Sequence, residues 1–225
     1  MAQFRKDELT NEHYYHIYSR SIARFVIFNN QEEYDRFYQL IDVYRFSDFT
    51  HKYSRYLKLP EAMQSDMLNE CITKNNCLVE IVAYCIMPTH IHLILKQKAD
   101  NGIAKYMSRV LNGYSRYFNI KHKRTGPLWS GRFKSVLVTH NEQLLHLTRY
   151  LHLNPTSAGL VDESDEWENS SYAEYTKETN QQNICKYTDV INMSKQEYRK
   201  FVDEHKNLQK ELSVIKYLTI EKYSG

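Results

Sequence analysis

The sequence has no run of 18 apolar residues, so no stretch reads as a helix that crosses a bilayer. Glycine and proline are scarce, 6 and 4 in 225 residues, which argues against a long disordered tract. The four cysteines (Cys71, Cys77, Cys85 and Cys185) form no C-x-x-C pair. That spacing excludes a zinc ribbon or thioredoxin-type motif and leaves reduced, partly buried thiols. No phosphate-binding Walker loop occurs, so ATP-driven chemistry is not indicated. The opening MAQFRKDELTNEHYYHIYSR lacks the apolar core of a signal peptide, and a cytoplasmic protein is expected.

What is present suits one domain with additions. Hydrophobic residues make up 42% of the chain, enough for a sizeable core. The net charge of +3 hides an asymmetry. Between Asn101 and Asn141 stand eight Lys or Arg and no acid; from Asp162 to the end, thirteen acids face nine bases. The basic block (Lys105, Arg109, Arg116, Lys121, Lys123, Arg124, Arg132, Lys134) reads equally as a phosphate-binding surface and as a solvated helix face. The 19 tyrosines add aromatic rings that could stack unpaired bases, although most will be core or surface residues.

Periodicity supplies the elements. His13–Arg20 reads as a strand, and Asn30 caps a helix running to about Tyr44, with Tyr34, Phe37, Ile41 and Tyr44 on one face. Residues 46–75 are polar and mixed, and read as a partly helical insertion. Cys77–Met87 and His90–Gln97 read as two strands joined tightly at Pro88-Thr89, hence a hairpin. Residues 103–120 make an amphipathic helix, KHKRTGP a basic loop, and Lys134–Thr139 a strand. Asn141–Asn154 follows as a helix, capped by Asn141 and closed by Pro155. The order predicts an α+β fold: a ferredoxin-like split βαβ core with an antiparallel sheet and one added helix. Residues 1–175 form the main unit, and 176–225 a helical C-terminal extension that could pack separately.

On the strand HIHLILKQ, His90 and His92 share one face, about 7 Å apart by the rise of a strand. Two neutral imidazoles at that spacing can converge on one metal ion. They also fit two polar histidines on an open sheet face, and the pair alone does not decide. On the helix LLHLTRYLHLNP, Tyr150 and Asn154 are one turn apart and share a face with His146. An amide oxygen is a reasonable ligand for a hard divalent ion. His146 reads either as a surface histidine or as an alternative ligand or aid to the phenol. Proline at 155 biases Asn154 toward the helix end.

Three stretches together resemble the single-tyrosine, IS200-like transposases of the HUH (His-hydrophobe-His) endonuclease superfamily, most closely those associated with repetitive extragenic palindromes. They are MPTHIHLIL at 87–95, GPLWSGRFKSVLV at 126–138 and RYLHLNPTSAGLV at 149–161, with WENSSY at 167–172 as weaker support. The likeness covers about residues 13–175. It implies a metal pair at His90 and His92, a nucleophile at Tyr150 and a third metal position at Asn154, where related enzymes carry Gln. It implies magnesium or manganese as cofactor and single-stranded or hairpin DNA as partner. It also implies DNA contacts at Trp129, Arg132 and Lys134. The basic block adds Arg109, Arg116, Lys121, Lys123 and Arg124 as expected phosphate contacts, with Trp129 read either as a stacking platform or as core. The insertion at 46–75 and the long tail depart from the minimal enzymes.

The implied chemistry is cleavage and strand transfer of single-stranded DNA through a 5′-phosphotyrosine, by a monomer or a homodimer. Three other readings stand beside it. One is a rolling-circle initiator or relaxase with the same metal and tyrosine. Another is a DNA-binding regulator that has lost catalysis. The third is a histidine metal hydrolase acting on small substrates.

Overall fold

The computed structural model describes residues 8–178, 183–188 and 190–206. Its centre is a four-stranded antiparallel sheet in the order β2-β3-β1-β4. The strands are β1 (Tyr14–Arg20), β2 (Val79–Met87), β3 (His90–Gln97) and β4 (Lys134–Val138). Helix α1 (Gln31–Val43) joins β1 to β2, and α4 (Gly102–Lys121) joins β3 to β4. This is the split βαβ arrangement that the element order predicts. The insertion contributes α2 (Tyr53–Tyr56) and α3 (Glu61–Lys74).

Alternation along β1 sets the two faces. Tyr15, Ile17 and Ser19 are buried on one side, whereas His16, Tyr18 and Arg20 occupy the other. Paired residues of antiparallel strands point the same way. The register Tyr18↔His92 and Arg20↔His90 therefore puts both histidines of β3 on the His16 face. Ile91, Leu93 and Leu95 line the opposite face and are fully buried. Gln97 belongs to that second face, and its side-chain oxygen accepts from the Ile103 amide at the start of α4, 3.1 Å away. Helices α1 and α4 thus cover the side away from the histidines. A Cβ on Gly102 would collide with the Leu78 carbonyl, so the α4 start approaches the sheet as closely as only glycine permits.

Helix α5 (Asn141–Ser157) covers the histidine face, packing on β2, β3 and β4. Two local expectations are corrected here. The N-cap is His140 rather than Asn141, and Pro155 lies inside the helix rather than ending it. Proline there removes one helical hydrogen bond and crowds the turn before it, yet the helix runs on to Ser157. The helix closes instead at Gly159 (φ 67°): the Gly159 amide donates to Thr156 and the Leu160 amide to Pro155, which is the Schellman pattern. Asn154 is consequently held on a full helical turn.

The outer edge of β2 is covered by the chain that follows α5. The Ile86 amide donates to Asn169, Ser171 bonds both backbone groups of Tyr84, and the Lys186 amide donates to Ile81 at 2.7 Å. A bulge at Val82 turns its carbonyl out of register, and the Tyr175 hydroxyl donates to it. Covering the edge leaves no free ladder on that side. Helices α6 (Tyr172–Thr176) and α7 (Lys195–Asp203) pack against α5 through buried His152, which meets Tyr198 Oη and Ser171 Oγ at 2.8 Å each. The described part of the C-terminal extension is therefore joined to the main core; residues 207–225 lie outside the described residues.

Candidate active site

The sheet and α5 bring one phenol and a row of imidazoles together. The Tyr150 ring centroid lies 6.0 Å from that of His92 and 6.3 Å from that of His16, edge-on in both cases. His90 and His92 are 5.1 Å apart with rings nearly perpendicular. Tyr150 is 37% exposed, so its phenol is reachable from solvent. All of these groups belong to one chain.

Each histidine of the pair has a protein group on Nδ1. His16 Nε2 sits 2.9 Å from His92 Nδ1, and Thr89 Oγ1 sits 3.0 Å from His90 Nδ1. A partner on Nδ1 holds the ring's orientation and favours Nε2 as the ligating nitrogen. Burial, with a smaller push from the Arg20 charge, lowers the His90 pKa to about 4; burial alone does the same for His16. His90 is therefore neutral at neutral pH, the form that binds metal. Among the described residues no group of three or more His, Cys, Asp or Glu is placed to hold a metal. Two neutral imidazoles are donors that a divalent ion can use.

Burial raises the Tyr150 pKa; a hydrogen bond with the Asn154 carboxamide and, more weakly, the Arg20 charge oppose that rise. Asn154 also donates to the Tyr150 carbonyl at 3.0 Å. Helical spacing thus places the amide beside the phenol, as the i, i+4 relation predicts.

The other expected residues divide. Lys134 lies opposite Tyr18 in the sheet register and so belongs to the histidine face. Arg132 and Lys123 are exposed on the loop leading to it. Arg124 holds that loop by donating to Asn119 and Pro127. Arg109, Arg116 and Lys121 lie on α4, across the sheet from Tyr150. Arg109 donates to the Phe46 and Phe49 carbonyls of the insertion, and Lys121 pairs with Glu32 at 2.8 Å. Trp129 packs in the core. It is 9% exposed, lies near Phe37 and Tyr114, and donates Nε1–H to the Leu111 carbonyl at 3.2 Å. His146 is turned to Arg149, 2.7 Å away, rather than to the phenol, because Arg149 bridges it to the C-terminal extension.

Sequence reasoning missed His16 and Arg20. The signal was present: both share a strand face with Tyr18, two residues apart, in HIYSR. Only the pairing of β1 with β3 makes that face the histidine face.

The chain belongs to the IS200-like transposase family, whose model matches residues 10–154. A Haemophilus influenzae protein named "Putative REP-associated tyrosine transposase" is 31% identical over 104 residues. That match spans 41% of this chain and 58% of the relative's length. A solved REP-associated tyrosine transposase, bound to a REP hairpin, superposes with a TM-score of 0.55 at 13% identity. It covers 86% of this chain and 99% of that one, and at this identity the likeness concerns the fold. Among the described residues no helix is long and apolar enough to cross a membrane.

Proposed function

We propose that this transposase cuts and rejoins single-stranded DNA with Tyr150 as nucleophile and His90, His92 and Asn154 as holders of one magnesium or manganese ion. The observation that carries the reading is the 6.0 Å between the Tyr150 and His92 rings on one face of one chain. A divalent ion bound there would offset charge on the scissile phosphate.

The chain's own groups do the rest. Tyr150 Oη attacks phosphorus, the bond from phosphorus to the 3′ oxygen breaks, and that oxygen leaves as a 3′-hydroxyl after taking a proton. The product is a 5′-phosphotyrosine. Attack by a second 3′-hydroxyl reverses the step and releases the phenol, so strand transfer needs no ATP. Asn154 and Arg20, which oppose the rise in the Tyr150 pKa, favour loss of the phenolic proton. Arg20 and Lys134 flank the histidines and can position phosphates; Arg132 and Lys123 extend that surface. Hairpins formed by palindromic DNA are the partner that suits a cut in unpaired strands. The relative with a solved structure is itself bound to a REP hairpin, which supports this choice.

The test is incubation with a labelled hairpin oligonucleotide and magnesium or manganese. A covalent protein–DNA adduct should form on denaturing gels and vanish in Tyr150→Phe. An adduct that persists in Tyr150→Phe refutes the choice of tyrosine. Cleavage with no adduct points to hydrolysis, and tight binding with no cleavage to a regulator.

A further inference from the structure

On the far side of the molecule from Tyr150, α1, α4 and the insertion enclose an open groove of about 670 Å³. Its accessible apolar surface is Leu57 and Ile120, 40% and 71% exposed, with the half-buried Tyr117, above buried Leu40, Tyr44 and Tyr53. Its lining contains six cations and no acid. Two of these are committed, Arg109 to carbonyls of the insertion and Lys121 to Glu32. Arg36 lies between two rings, 5.1 Å from Tyr53 and 4.8 Å from Tyr117. Lys52, Lys58 and Arg116 are exposed at the rim and make no ion pair among the described residues.

We infer that this groove is a second nucleic-acid site, which holds an unpaired stretch of DNA with its bases against Leu57, Ile120 and Tyr117 and its phosphates on the Lys52, Lys58 and Arg116 rim. Charge complementarity selects the occupant. An uncompensated cationic rim needs a polyanion, and an exposed apolar surface with one reachable ring needs a polyanion that carries flat apolar faces. An acidic peptide satisfies only the first demand, and duplex DNA hides its bases. Seven of the eighteen residues lining this site come from residues 46–75, so it distinguishes this chain from any relative lacking the insertion. Because α4 and the sheet separate it from Tyr150, it would hold DNA outside the segment being cut.

The full-length protein can be titrated with fluorescein-labelled oligothymidylate, and crosslinked to the same strand carrying 5-iodouracil. Crosslinks are expected at Tyr117. Each phosphate contact to a single strand adds about 0.7 to the slope of log K against log salt. Lys52→Glu/Arg116→Glu should therefore lower the slope by about 1.4 and weaken binding, while Lys52→Arg/Arg116→Lys keeps it. Circular dichroism establishes that both variants are folded. Unchanged affinity and slope in the charge-reversed variant would overturn the proposal, as would oligoglutamate competing as well as oligothymidylate. Neither readout needs cleavage, so loss of the Tyr150 adduct and loss of this site are separable results.

Discussion

His16 Nε2 meets His92 Nδ1 at 2.9 Å, across the β1–β3 pairing that also stacks their rings 5.1 Å apart. A histidine that ligates through Nε2 carries its proton on Nδ1, and here that proton would be donated to His16. If His92 serves as the metal ligand proposed above, the contact would hold its ring in place from the neighbouring strand. Loss of an outer partner of this kind costs roughly 10- to 100-fold in metal affinity. His16→Ala should weaken manganese binding by about tenfold or more in calorimetric titration, and His16→Gln, which retains an acceptor, should weaken it less. Equal affinity in all three proteins would show that His16 is only a neighbour.

The Arg20 charge bears on the Tyr150 phenol. Burial raises the phenol's pKa, and Arg20 is among the groups that hold the rise down. Its removal therefore raises the pKa further, and less phenolate exists at any given pH. In Arg20→Gln the alkaline rise of adduct formation should move to higher pH. The rate at pH 7.5 should fall, and by less than in a variant that removes Asn154. A rate loss with an unmoved pH profile would assign Arg20 to phosphate positioning only.

Trp129 separates a core role from a DNA role. Its indole N–H binds the Leu111 carbonyl and its ring is buried. Trp129→Phe should lower unfolding free energy by about 1–3 kcal/mol, the cost of lost packing and an unmade buried bond. Affinity for a single-stranded oligonucleotide should change less than about twofold. A selective loss of binding at unchanged stability would restore it as a stacking residue.

His152 should make the fold acid-sensitive. Burial lowers its pKa to about 3, far under the 6.5 of an exposed imidazole. Between those values the unfolded chain binds the proton and the folded chain does not, so stability is complete above pH 6.5 and falls as pH drops toward 3. One such group contributes a slope of about 1.4 kcal/mol per pH unit. Urea unfolding between pH 7 and pH 4.5 should show a slope that His152→Gln reduces by about that amount. His16 and His90, also lowered to about 4, keep part of the slope in the variant. An identical slope in wild type and His152→Gln would mean that His152 is protonated in the folded state.

The strands and the long helices were legible because their signals are local. Alternation in HYYHIYSR and HIHLILKQ, an Asn cap whose side chain accepts from Glu33, and the heptad-like spacing of α4 each need only neighbouring residues. Helix ends were less legible. Pro155 reads as a stop in isolation, yet the helix passes it because Gly159 completes the closing bonds a few residues later. Charge counts say nothing of which face a cation serves. The basic block is one run in sequence, but α4 covers one face of the sheet and Lys134 of β4 belongs to the other, so Arg109 and Lys134 face different surroundings.

The amino-acid order alone determined the element sequence, the shared face of His90 and His92, and the helical spacing of Tyr150 and Asn154, all of which follow from repeat lengths of two and 3.6 residues. The tertiary structure decided which strand lies beside β3, which face α5 covers, and therefore that His16 and Arg20 join the histidines while Trp129 enters the core. Those outcomes depend on contacts between segments tens of residues apart, where burial and pairing rather than local periodicity choose the neighbour.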